Sequence, residues 1–351
     1  MLCRKKIGMC HGFAVVLRQQ ICVTIAVPAF VLMSSMSVAY YIKLLLEVML
    51  PMVLLVAAGA VWRRSLGAEG VRLVRGYIST ITINLFAPAL LFAAAASANI
   101  TAALLSVPLL VMMSVLFGFG VLYFLLFHTG LGAHLSGTTR AGLLLCGIFG
   151  NVLFMGFPLL HFLFGEEGGR YAAFADMGAA TPLLWSLGVW IAIRLGGQVS
   201  HQGNPVKAWL MLPPVWSFLA GVMVSLMGWE FNPIISAAHF IGQPTVPVML
   251  LMLGLSIPWS QLAPNRAVLT VATFKLLALP MVAWGASLLW FGTLRDAQVA
   301  AVIETGVPTM LMALSVADRY QLDVEMVALT IAWSTVLFLF TLPLWLWVLI
   351  R

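Results

Sequence analysis

From residue 42 onward the polar positions are thin punctuation between long apolar runs. A bilayer-crossing helix needs roughly 20 mostly apolar residues, and about ten runs of that kind follow one another. They lie near 44–63, 76–97, 103–127, 141–164, 171–194, 208–229, 234–257, 267–291, 297–317 and 325–350. The connections are short, so the pattern predicts an all-α membrane protein without a soluble domain.

Two of these runs repeat earlier ones. MLPMVLLVAAG (Met49 to Gly59) matches MLPPVWSFLAG (Met211 to Gly221), and PALLFAAAAS (Pro88 to Ser97) aligns with PVMLLMLGLS (Pro247 to Ser256). Five spans separate the partners, an odd number, so the halves face opposite ways across the membrane. Such inverted repeats are characteristic of secondary transporters. The expected architecture is two inverted five-helix repeats, 42–195 and 208–351, joined by a short loop at 196–207.

The fourth run, GNVLFMGFPLLHFLFG from Gly150 to Gly165, carries Gly156-Phe157-Pro158, and the ninth carries Gly306-Val307-Pro308. Proline removes an amide donor and pushes the preceding residue out of the helical region, while glycine adds freedom to unwind. Both spans are therefore expected to break near their middles. The free amide groups and positive dipole ends of restarting half-helices favour an anion. Broken helices at corresponding positions of two halves also mark a transporter's binding site. Asn151, seven residues before Pro158, is expected to face substrate or a released carbonyl, with a hydrogen bond to a neighbouring helix as its plainer alternative. The expected substrate-binding set is Asn151, Gly156, Pro158, Thr305, Gly306 and Pro308. His161 is a weaker candidate, as readily explained by packing.

Ionisable residues inside spans are functional candidates by default, since a charge at mid-bilayer costs several kcal/mol unless paired or hydrated. Glu304 stands one turn before Pro308. Together with Asp176 it is the expected coupling group: a carboxyl there takes up a proton on one side and releases it on the other. The alternative for Glu304 is a carboxylate held by Lys275 or by backbone donors. Lys275 is the third candidate; the plainer alternatives place it and Asp176 nearer the ends of their spans, with the Lys275 amine reaching toward the interface and Asp176 pairing with a neighbour.

Composition agrees: 62% of the 351 residues are hydrophobic and 8% charged, with a mean hydropathy of +1.07, against about 25% charged in soluble domains. The net charge of +7 reports topology rather than nucleic acid, for which no basic module is present. Arg63, Arg64, Arg72, Arg75, Arg140, Arg194, Lys207, Arg266 and Arg319 fall in one set of alternate loops. Lys43, Arg170, Arg295 and Arg351 fall in the other. The richer set is expected in the cytoplasm, which places both ends of the ten-span core outside. The four cysteines show no ligand spacing, and no cofactor or metal is expected. Residues 1–41 admit three readings: an extra span preceded by Arg4, Lys5 and Lys6, a signal sequence ending at Ala39, or a misassigned start.

On these residues the chain resembles the auxin efflux carrier family. The likeness covers roughly 42–351 and is most specific in the Ala317 to Asp323 turn, ADRYQLD, and in Thr341 to Trp345, TLPLW. It implies ten helices, a scaffold half and a transport half, and a site where broken, crossing fourth and ninth helices meet, with the family's crossing prolines on Pro158 and Pro308 and its substrate-side asparagine on Asn151. The short loop between Arg194 and Lys207 is like that of the smaller bacterial carriers of organic acids. Val152 and Leu153 follow Asn151 where plant auxin exporters have a second asparagine. The expected function is secondary transport of a small organic anion, a carboxylate or dicarboxylate such as malonate or malate or an auxin-like acid, with protons as the coupling partner. The protein is expected in the cell membrane as a homodimer. A sodium- or proton-coupled ion antiporter of similar fold and a non-transporting sensor stay open at this point. An intramembrane enzyme is disfavoured, because HExxH, GxSxG and paired aspartates in facing spans are missing.

Overall fold

The computed structural model describes residues 42–196, 205–229, 232–257, 259, 263 and 265–349; the 1–41 extension and most of the 196–207 connection lie outside them. The described chain is all-α. Among the described residues, seven helices are long and apolar enough to cross a membrane: α1 Ile42–Gly67, α2 Glu69–Ala96, α3 Ala102–His128, α6 Glu166–Leu195, α9 Asn232–Ser256, α10 Arg266–Phe291 and α13 Val324–Leu349. Shorter pieces lie between them: α4 Gly137–Ile148, α5 Val152–Phe164, α7 Pro205–Leu210, α8 Pro213–Leu226, α11 Asp296–Thr305 and α12 Met312–Arg319. The protein is a multi-pass protein of the cell membrane.

Local sequence explains the punctuation. Gly67 adopts φ 64° and ψ 175°, a conformation open to glycine at little cost, and it separates α1 from α2. The expected run at 208–229 is divided, because Pro213 and Pro214 hold Leu212 extended at ψ 127° and start α8 afresh. In the ADRYQLD turn, Asp323 accepts from the Met326 amide at 3.1 Å, capping α13, and from the Thr139 hydroxyl at 2.7 Å, which ties in the first turn of α4.

Packing divides the helices into two groups. α1 lies on α9, and α2 lies on α8 and α9; separately, α3, α4, α6, α10, α11 and α13 pack on one another. Small residues set the seams of the first group. A Cβ on Gly59 of α1 would overlap the Leu251 carbonyl oxygen and sit 2.9 Å from the Leu255 nitrogen and 3.0 Å from the Gly254 Cα. A Cβ on Gly221 of α8 would lie 2.7 Å from the Phe92 oxygen, 2.8 Å from the Ala95 Cβ and 3.0 Å from the Ala96 nitrogen. Just beyond the first crossing, Arg63 donates to the Leu255 carbonyl at 2.6 Å and caps the end of α9.

Candidate functional site

The fourth and ninth apolar runs are both interrupted, and the interruptions meet. α4 ends at Ile148 and α5 begins at Val152, while α11 ends at Thr305 and α12 begins at Met312. Between them Gly150 and Thr309 form an antiparallel bridge. The Asn151 amide donates to the Pro308 carbonyl at 2.7 Å, and the Met310 amide donates to the Phe149 carbonyl at 3.0 Å. Backbone that leaves a helix in the bilayer must find partners within the protein, and here each interruption supplies the other's. Side chains complete the joint: the Thr309 hydroxyl donates to the Cys146 carbonyl at 2.9 Å, and the Ser334 hydroxyl of α13 accepts from the Thr309 amide at 3.1 Å.

The ninth run breaks across its G-x-P, as the sequence predicts, but the fourth does not. Its break falls at Phe149 to Asn151, about two turns before Pro158. A wide turn spans Val152 to Gly156 instead, with the Gly156 amide reaching the Asn151 carbonyl at 3.4 Å. This i→i+5 turn leads directly into the proline, whose nitrogen has no donor to place, so the helix continues through Gly156-Phe157-Pro158.

The candidate residues distribute unequally around this joint. Asn151 is buried and shares a cavity of about 50 Å³ with Asp176 of α6. The same cavity is bordered by Leu153 and Phe154 at the start of α5, by Met310 and Met312 at the start of α12, and by Thr82 of α2 and Pro214 of α8. The amino ends of both restarting helices thus border one space. Asp176 accepts from the Thr181 hydroxyl at 3.1 Å. Pro158 lies elsewhere, on a separate cavity of about 500 Å³ with Glu47, His161, His239 and Gln243 between α5 and the α1–α9 seam. Thr305 is at the joint, but its hydroxyl donates back to Val302 at 2.8 Å and its carbonyl accepts from Lys275 at 2.6 Å. Gly306 ends α11 with its amide on Val302 and Ile303, and a Cβ there would come within 2.9 Å of Pro280.

Glu304 is buried against Gly156, where a Cβ would overlap its carboxylate. Neither Glu304 oxygen accepts a hydrogen bond among the described residues, so neither holding partner expected from the sequence is realised. Lys275 departs from expectation too. It is 1% exposed and does not reach the interface; its amine is spent on the Thr305 carbonyl of α11. The sequence marked Lys275 only as a charged residue in a span, and the contact 30 residues away was beyond it.

Long apolar helices, paired interruptions at mid-bundle and buried carboxyl and amide groups at a helix-end cavity define a multi-pass membrane transporter. The chain belongs to the membrane transport protein family, whose model matches residues 72–207 and 205–346. It is similar to an uncharacterized transporter of Methanothermobacter thermautotrophicus, at 30% identity over 272 residues that cover 76% of this chain and 87% of the relative. A second such transporter, of Methanocaldococcus jannaschii, is 28% identical over 259 residues, covering 70% of this chain and 80% of the relative. These matches imply transport rather than catalysis.

Proposed function

We propose that the protein is a secondary transporter for a small organic anion, bound where the amino ends of α5 and α12 face one cavity beside Asn151 and Asp176. That convergence carries the reading. Two helix amino ends offer unpaired N–H groups and partial positive charge to an anion, and Asn151 adds a neutral amide donor. An ionised Asp176 repels a carboxylate, whereas a protonated one donates to it, so Asp176 brings a proton in with the substrate. Glu304, whose oxygens accept no hydrogen bond among the described residues, is the second proton-carrying group. Carboxylates and dicarboxylates of the malonate and malate type suit two donor-rich helix ends.

The motion we infer is a slide of the α3–α6 and α10–α13 group, as a transport half, against α1, α2, α8 and α9 as a scaffold. Ten spans result if α4–α5 and α11–α12 each count as one broken span, arranged as the repeats 42–195 and 208–351 across the 196–207 connection. Support comes from the seams. The internal alignment equates Gly59 with Gly221, and Leu251, Gly254 and Leu255 with Phe92, Ala95 and Ala96. Gly59 packs against the first three and Gly221 against the last three, as a twofold relation between repeats requires.

Binding tests the site. Purified protein is screened for thermal stabilisation by mono- and dicarboxylates, then assayed for uptake in proteoliposomes. Asn151→Ala is expected to remain folded and to lose about tenfold or more in affinity, the loss of a hydrogen bond to a charged group at about 1.5–3 kcal/mol. Unchanged affinity for a confirmed substrate removes Asn151 and its cavity from the mechanism.

A further inference from the structure

The mid-bundle joint has carboxyl ends as well as amino ends, and these are the negative poles of their half-helices. In α4 the exposed carbonyls are taken by protein donors: Leu145 accepts from the Phe149 amide at 3.1 Å and Cys146 from the Thr309 hydroxyl at 2.9 Å. In α11, Val302 and Ile303 accept from the Gly306 amide at 3.2 and 2.9 Å. The last carbonyl, Thr305, accepts from the Lys275 ammonium at 2.6 Å. That ammonium reaches across from α10 and is wholly buried. Its nitrogen lies beside Gly150, where a Cβ would be 3.0 Å from it and 3.4 Å from the Glu304 carbonyl oxygen.

Next to it on the same helix end is the Glu304 carboxylate, 1% exposed, with neither oxygen accepting a hydrogen bond among the described residues. No Lys275–Glu304 contact within ion-pair distance joins the two. A single positive charge thus sits among a helix carboxyl end, an unwound backbone and a nearby buried carboxylate. In secondary transporters half-helix carboxyl ends and unwound carbonyls are where a coupling cation is coordinated.

We propose that Lys275 is a tethered cation: its ammonium occupies the place at the α11 carboxyl end that a small monovalent metal ion would otherwise take, so the protein works without sodium. A covalently tethered charge stays at the joint in both orientations of a carrier. An ion that left with each cycle would uncover the Thr305 carbonyl, a buried acceptor that is costly to leave unmatched. Removing the ammonium frees the Thr305 carbonyl for a small cation, with the buried Glu304 carboxylate nearby to favour its charge. The inference needs no knowledge of the transported substrate.

The test reads unfolding rather than transport. The full chain in detergent is melted in choline chloride and in sodium, lithium or potassium chloride at equal ionic strength, as the parent, Lys275→Ala, Lys275→Gln and Lys275→Ala/Glu304→Gln. The parent is expected to melt alike in choline and sodium. Lys275→Ala is expected to melt lower in choline and to recover by at least about 2 °C with one alkali cation or with methylammonium, since a ligand that binds only the folded state stabilises it. In the double variant that recovery disappears. Should Lys275→Ala fail to fold, Lys275→Gln, which keeps most of the stem, carries the same comparison. Specific stabilisation of the parent by sodium overturns the proposal, as does a lysine variant that melts like the parent in choline or responds to none of these cations.

Discussion

Substituting Gly59 by Ala tests the α1–α9 seam against a control within the same protein. In an open helix position, Gly→Ala is worth up to about 1 kcal/mol of stabilisation through backbone entropy. Gly120 of α3 and Gly285 of α10 are such positions, with no atom within 4 Å of an added Cβ. At Gly59 the same methyl meets three main-chain atoms of α9, none of which can rotate away. Relieving the overlap needs the two helices to part by ~1 Å, and a gap of 0.5–1 Å forfeits about a quarter to a half of each dispersion contact along the seam. Overpacking of this kind costs about 1–3 kcal/mol. Because the entropic gain is common to all three sites, comparing Gly59→Ala with Gly120→Ala and Gly285→Ala isolates the steric term at ~1–3 kcal/mol. Soluble domains of 150–250 residues shift by about 2–4 °C per kcal/mol, so thermal unfolding of purified protein, followed by tryptophan fluorescence or monodispersity, resolves it. Gly221→Ala should behave like Gly59→Ala, as its counterpart on α8. If Gly59→Ala melts together with the two controls, the seam is looser than described and the support it lends to the repeat is lost.

Asp323→Ala removes both the cap of α13 and the tie to Thr139, and is expected to cost about 1–2 kcal/mol; a melting temperature equal to the parent's would show that the ADRYQLD turn does not fasten α4 to α13. For topology, single cysteines replacing Arg72 and Glu166 in a background without the native cysteines should react with impermeant reagents from opposite faces, the first from the cytoplasm. Labelling of both from one face would remove the inverted arrangement.

Much of this was legible in the chain because bilayer physics leaves few choices. Runs of apolar residues become helices, and the glycine and proline that punctuate them are read by conformation alone. The proposed repeat shows in the sequence through Gly59 and Gly221, small residues at equal spacing from a proline, since close helix approach demands them wherever it recurs. Asn151 and Asp176 were each conspicuous as polar groups in oil. That they face one cavity was not legible, because it depends on how α6 lies against the start of α5. The break in the fourth run was misplaced for a related reason. Local rules saw Gly156 and Pro158, whereas the actual interruption is stabilised by Pro308 and Phe149 exchanging hydrogen bonds with partners about 160 residues away in sequence. The place of Lys275 is not legible in the sequence because its acceptor is a main-chain carbonyl, and carbonyls leave no mark in the identity of residues.

The Gly150–Thr309 bridge has a consequence for how such a protein can change over generations. Its two direct bonds run between main-chain atoms, so the fastening of one half-helix pair to the other is indifferent to most side chains nearby. Substitutions at Asn151, Leu153, Phe154 or Met312 can therefore alter what fits between the helix ends while the rivet itself stays shut. If the cavity is the substrate site proposed above, a lineage is free to drift from one cargo to another by single steps, none of which passes through an unfastened intermediate.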